Sequence, residues 1–300
     1  MSSPTALRRK GVTVGYSLNG YEFDLISEFS LVNSHVGQVF AEFPSLARGS
    51  GVRDQYSVSE GRNGFELALN GRLLAAFRDI GDSIDFLEWY VSQVSLRRVS
   101  DTFALHAAGV AHDGRALIIA GTSGAGKSTL TVELLRSGFG YLSDEAIFVS
   151  ISTGRVCGFP RAIALASDPR ARQSPIPPID ETTILGDQTS QGNDGEARPT
   201  VRKNYFHAAE FGATVVPSPL PVAAVVVLDT VRADTRLAPV GPLDLLPDLV
   251  GQVFAAGPAD IILETLTGML AGANTFRLTT SDPRQAARIL SQRIACAEAA

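Results

Sequence analysis

The chain is short of cysteine, short of lysine and without a long apolar run, and each shortage removes a class of protein. Its 300 residues contain two cysteines, Cys157 and Cys296. They lie far apart, with no Cys-x-x-Cys or Cys/His spacing, so the sequence supports neither a disulfide framework nor a zinc site and suits a reducing compartment. The four histidines, His35, His106, His112 and His207, are equally scattered. No uncharged apolar run approaches the ~18 residues of a membrane helix. The opening Met-Ser-Ser-Pro-Thr-Ala-Leu-Arg-Arg-Lys10 carries charge with no apolar stretch behind it, unlike a secretory signal. A cytoplasmic protein with no membrane partner is expected.

Only three lysines occur, Lys10, Lys127 and Lys203, and the formal net charge is −5. Beyond residues 7–10 and the Arg97-Arg98 pair there is no basic block, which argues against nucleic acid as a partner. With 45% apolar and 19% charged residues, the composition is globular and fits one large domain or two small ones. The oligomeric state is left open.

One of the three lysines completes a motif. Gly121, Thr122, Ser123, Gly124, Ala125, Gly126, Lys127 and Ser128 spell G-x-x-x-x-G-K-[ST], the phosphate-binding loop. A chance match in this composition has a probability of roughly 0.4%. The flanks also fit: residues 115–120 form an apolar run of strand length, and residues 129–137 have helical periodicity ended by Gly138 at the C′ position. Glycines at such a turn let successive N–H groups and the positive end of a helix face an anion. Thr129 continues the nucleotide-binding segment into that helix. Lys127 is expected on the β- and γ-phosphates and the Ser128 hydroxyl on Mg²⁺, so the cofactors read from the motif are ATP and Mg²⁺.

The surrounding pattern places this loop. Residues 1–100 are β-rich with two helices. Asn70-Gly71 between residues 65–69 and 72–77 is a type I′ hairpin signal. Asp82 is positioned to cap a helix whose Ile84, Leu87, Val91 and Val94 share one face. Residues 103–111, a turn at 112–114 and the run to Ala120 predict a hairpin whose second strand delivers the loop. Strands are expected at 139–142, 146–151, 222–228 and 275–279, and helices at 243–255, at 258–271 and after Asp282-Pro283. Residues 167–204 are proline-rich and aperiodic, which predicts a long mobile loop able to close over a substrate.

A phosphate loop fixes the nucleotide but not the reaction, so the acidic residues decide. Asp144-Glu145 follows a short strand, with Glu145 18 residues beyond Lys127, and Ser143 stands before the pair. His106 lies 15 positions before Gly121. This order, with Arg136-Ser-Gly138 between loop and acids, resembles the HPr kinase/phosphorylase family and its relatives that act on peptide precursors. The resemblance covers residues 105–148 and extends more weakly to Leu165 through Gly158-Phe-Pro-Arg-Ala-Ile-Ala-Leu165. It implies a P-loop serine kinase in which Asp144 and Ser128 hold magnesium, Glu145 accepts the acceptor's proton, and His106 sits near the γ-phosphate. Glu145 stands where the family has a second Asp. Neither a Glu-Ile-Arg-Gly segment nor a Pro-Val-Arg-Pro-Gly-Arg run is present, and residues 1–100 do not resemble that family's N-terminal domain.

The expectation is an α/β chain: a P-loop kinase domain of HPr-kinase-like type at 101–300, carrying a smaller N-terminal α+β domain at 1–100. Catalytic residues are Glu145, Asp144, Lys127 and His106, and the partner is a protein or peptide with an acceptor serine. Arg161 and Lys203 are candidates for neutralising phosphate charge or for ordinary surface pairing. One alternative is a P-loop ATPase with Asp229, at the end of the apolar run 222–228, as its acid, although no Leu-Ser-Gly-Gly-Gln-like signature precedes that run. The other is an ATP-sensing binding module without phosphate transfer. A GTPase is disfavoured by the lack of an Asn-Lys-x-Asp segment.

Overall fold

The computed structural model describes residues 11–43, 45–46, 53–99, 101–166, 203–217, 219–229, 234–254 and 258–297. The chain is mixed α/β and divides into two compact units, whose described residues run 11–95 and 96–297. Most of the expected loop, residues 167–202, lies outside the described residues. Its last two positions open a strand. Among the described residues no helix is long and apolar enough to cross a membrane.

The first unit is built on one six-stranded sheet. Its strands are β1 (Val12–Leu18), β2 (Tyr21–Ser27), β3 (Ser45–Leu46), β4 (Asp54–Gly61), β5 (Gly64–Leu69) and β6 (Arg72–Phe77), in the order β3-β1-β2-β4-β5-β6. Only β2 and β4 pair in parallel, across the helix α1 (Ser30–Val39). The β5–β6 hairpin turns on Asn70 and Gly71, both at positive φ, as the Asn-Gly signal requires. Helix α2 (Ile80–Arg97) begins earlier than Asp82 predicts. The Asp79 carboxylate takes the Gly81 amide at 2.7 Å, so Asp79 supplies the cap and Asp82 falls in the first turn, where its charge favours the positive helix end. Ile84, Leu87, Val91 and Val94 are buried along one face. A bond of 2.9 Å between His35 and Glu88 links α1 to α2.

The second unit centres on another six-stranded sheet. It comprises β8 (Ala108–His112), β9 (Arg115–Ala120), β10 (Gly140–Ser143), β15 (Val222–Leu228), β16 (Arg236–Pro239) and β17 (Asn274–Thr279), ordered β10-β8-β9-β15-β17-β16. The middle strands β9, β15 and β17 run parallel. Both faces are covered, which is why these strands read as unbroken apolar runs rather than alternating ones. Leu117, Ile119, Val226 and Leu278 point to one core, shared with α3 (Lys127–Arg136) and α6 (Pro283–Ala297). Ile118, Ala120, Val225 and Val227 point to the other, shared with α4 (Pro242–Val250) and α5 (Ala259–Ala271). A small sheet of β7 (Thr102–Leu105), β11 (Ile147–Ser150) and β12 (Val156–Gly158), ordered β12-β11-β7, packs on that second side. A two-stranded ribbon joins β13 (Ile163–Ala166) to β14 (Lys203–Phe206).

Two further expectations change here. The continuous strand over 103–111 is two strands in two sheets, interrupted at His106 and Ala107. The reason is pairing: β7 takes β11 and β8 takes β9, and the chain must cross between layers at the interruption. The helix expected to reach residue 255 ends at Val250, because the following backbone returns to β7, with Phe254 N–H on Ala104 O at 2.8 Å and His106 N–H on Gln252 O at 2.7 Å. The final helix matches its signal, since Asp282 Oδ1 receives the amides of Arg284 and Gln285 and Pro283 occupies the first turn.

Candidate functional site

The segment 121–128 lies between the C-terminal end of β9 and the start of α3, at the edge where the parallel strands finish. Such edges are the usual ligand sites of parallel α/β sheets. Gly121, Gly124 and Gly126 all adopt positive φ. At Gly121 space matters as well, because a Cβ there would meet the Leu228 carbonyl oxygen at 2.8 Å. Thr122, Ser123, Gly124 and Thr129 are exposed, while Ala125, Gly126 and Ser128 are half-buried. After α3, Gly138 ends the helix with Phe139 N–H on Leu134 O and Gly138 N–H on Leu135 O, the pair of bonds of a Schellman motif.

Lys127 folds back over its own loop. Its ammonium donates to Gly121 O at 2.7 Å, to Thr122 O at 3.2 Å and to His106 Nε2 at 3.2 Å, which uses all three of its protons. Only 6% of the residue is exposed, and burial lowers its pKa against the opposing pull of Glu145 and Asp144. Because Lys127 donates to Nε2, the neutral His106 ring carries its proton on Nδ1, which faces Glu145 Oε1 at 3.8 Å. Burial lowers the His106 pKa and Lys127 adds to the effect, with Glu145 opposing. The Phe254 ring meets the imidazole edge-on at 5.5 Å.

The two carboxylates sit between β10 and β11. A register shift between Tyr141 and Ser143 in β10 bulges the strand just before them, a device that re-aims side chains beside active sites. Ser143 then sets the turn: its hydroxyl donates to Phe159 O at 2.8 Å and accepts the amides of Glu145 at 3.1 Å and Ala146 at 3.0 Å. Asp144 is buried, and its Oδ1 receives the Tyr141 hydroxyl at 3.2 Å. Desolvation pushes the Asp144 pKa up to about 6, held back by the Arg161 charge and by hydrogen bonds from the Ser128 and Tyr141 hydroxyls. Glu145 is more open, with 34% of its side chain exposed.

Four separate segments therefore meet. His106 comes from the β7–β8 crossing, Lys127 and Ser128 from the loop and α3, Asp144 and Glu145 from the β10–β11 turn, and Arg161 from the link between β12 and β13. Arg161 is buried with its charge on Asp144, so the exposed alternative imagined for it does not apply. Lys203 opens β14. Asp229 follows β15 and bonds Arg277 of β17 at 3.4 Å. Ser128 and Asp144 offer two oxygen ligands, a fit for Mg²⁺, which commonly takes one or two protein ligands plus phosphate and water. Among the described residues no group of three His, Cys, Asp or Glu side chains could enclose a metal alone.

Sequence reasoning missed Tyr141, Ser143 as a turn former, Gln252, Asp248 and Arg277. Two of these leave a signal: a serine directly before paired acids, whose hydroxyl can bond amides two and three residues on, and a lone arginine in the apolar strand 274–279. No family model matches the chain, and no curated protein matches it.

Proposed function

We propose that this protein is a P-loop kinase of HPr-kinase-like type that transfers the γ-phosphate of ATP to a hydroxyl, a serine of a protein or peptide. The observation that carries the reading is the closeness of the Ser128 hydroxyl to the buried Asp144 carboxyl, whose pKa it lowers, which sets a loop hydroxyl and a carboxylate together where a P-loop enzyme would hold its magnesium. Glu145 beside Lys127 and His106 adds the second carboxylate that an acceptor needs and a simple phosphate binder does not.

Mg²⁺-ATP, when bound, would supply the phosphoryl group and a positive charge beside it. The loop amides and the start of α3 face the phosphates, and Lys127 leaves the carbonyls of Gly121 and Thr122 to stabilise charge that builds on them. Ser128 and Asp144 would hold the metal. Glu145 takes the proton from the acceptor hydroxyl as its oxygen bonds phosphorus and the bond to ADP breaks. His106 orients Lys127 through Nε2.

The decisive experiment is incubation with γ-labelled ATP, Mg²⁺ and the proteins and peptides of cells lacking the gene. Label on a serine supports the kinase. Release of free phosphate alone supports an ATPase, and ATP binding with neither product supports a sensor.

A further inference from the structure

A cavity of about 200 Å³ opens beside the loop, lined by Gly121 and Thr122, by Leu228 and Asp229 at the end of β15, and by Asp248, Gln252 and Arg277. It lies at the C-terminal ends of β9 and β15. Its walls are shared with the Lys127 cluster: Lys127 bonds the Gly121 and Thr122 carbonyls, and the Gln252 carbonyl takes the His106 amide. The cavity therefore adjoins the end of the loop where Lys127, His106 and Glu145 converge, the terminal-phosphate end under the kinase reading. At this size it is smaller than the ~300–1,000 Å³ of pockets for drug-sized ligands and suits one side chain or a small polar molecule.

Its chemistry is specific. Arg277 Nη2 donates to Asp248 Oδ2 at 2.5 Å and to Asp244 O at 3.3 Å, and Nη1 donates to Asp229 Oδ1 at 3.4 Å. The second oxygen of each aspartate bonds no other described residue. Two carboxylates against one guanidinium leave a net charge of −1 on the wall, next to a loop built for polyanions. An acceptor bearing its own negative charge is repelled by this wall and by the phosphates of a bound nucleotide, while one bearing a cation or several donors is attracted.

We infer that this cavity is the acceptor subsite, and that Asp229 and Asp248 select a hydroxyl acceptor flanked by a positively charged group. The inference rests on the kinase reading. Arg277 holds the two carboxylates apart as a positioning residue, and Gln252 couples the cavity to the His106 backbone.

The test uses L-serinamide, a cationic hydroxyl compound, and N-acetyl-L-serine, its anionic counterpart, as probes on the full chain loaded with Mg²⁺ and a non-hydrolysable ATP analogue. Saturation-transfer NMR is expected to show serinamide binding at least tenfold more tightly. Asp248→Asn and Asp229→Asn each keep a hydrogen-bond acceptor for Arg277 but remove the charge, and each is expected to reduce that preference at least threefold. Equal binding of the probes, tighter binding of N-acetylserine, or a preference unchanged in both variants overturns the inference. A loaded protein that binds neither probe also overturns it and leaves the nucleotide reading standing. A protein that binds no analogue overturns both.

Discussion

Replacing Ser143 with alanine tests how the paired carboxylates are held without touching any charge. The Ser143 hydroxyl is buried and makes three hydrogen bonds, to Phe159 O and from the amides of Glu145 and Ala146. Glu145 is partly exposed, so its amide can turn to water, and the Phe159 carbonyl keeps the Arg161 amide at 2.9 Å, but the Ala146 amide belongs to a buried residue and loses its partner. A buried group left unsatisfied costs about 1–3 kcal/mol, and this amide is the one that Ser143→Ala leaves so. A single unfolding free energy is ill-defined for a chain of two compact units, so the loss is read locally. Hydrogen exchange of the Glu145 and Ala146 amides is expected to accelerate roughly 5-fold to 150-fold, at about 1.4 kcal/mol per decade. Protection within threefold of the parent protein would refute the claim that this hydroxyl fixes the turn.

The remaining predictions concern charge. Lys127→Ala is expected to lower phosphoryl transfer by about 10²–10³, equivalent to roughly 3–4 kcal/mol of lost transition-state stabilisation, and steady-state turnover within threefold of the parent contradicts the assignment. Glu145→Gln should retain Mg²⁺-ATP binding in calorimetry while transfer falls by about 10²–10⁴, as for a lost general base. The Asp144 pKa of about 6 lies above its unfolded value, so between pH ~4 and ~6 the native state binds more protons than the unfolded one and the contribution of Asp144 to stability falls as pH rises through that window. Metal binding needs the carboxylate. Affinity for Mg²⁺-ATP should therefore be level above pH ~7 and fall about tenfold per unit below pH ~6, a slope that Asp144→Asn should abolish.

What the sequence discloses is what short stretches of chain decide. The Asn70-Gly71 hairpin, the loop at 121–128, the Gly138 helix stop and the Asp282 cap depend on neighbouring residues, and each is where its signal puts it. The Asp79 cap shows the limit of such signals, since two aspartates three positions apart compete and only geometry selects the first. Strand pairing hides more. The interruption at His106 depends on β7 choosing β11, more than 40 residues on, and the charge on Asp144 depends on Arg161 and Tyr141 folding around it. Arg277 meets Asp229 and Asp248 only because β17 lies beside β15 in parallel, a neighbour relation that no local pattern encodes.

Under the proposed function Asp144, and not Asp229, supplies the metal carboxylate beside Ser128. Titrating Mg²⁺ into the ATP-loaded protein measures it directly, with Asp144→Asn and Asp229→Asn compared against the parent chain. Asp144→Asn is expected to raise the magnesium concentration required for half-saturation by at least tenfold, while Asp229→Asn stays within threefold. The reverse pattern, a normal magnesium requirement in Asp144→Asn and a lost one in Asp229→Asn, would contradict it and place the metal at the end of β15.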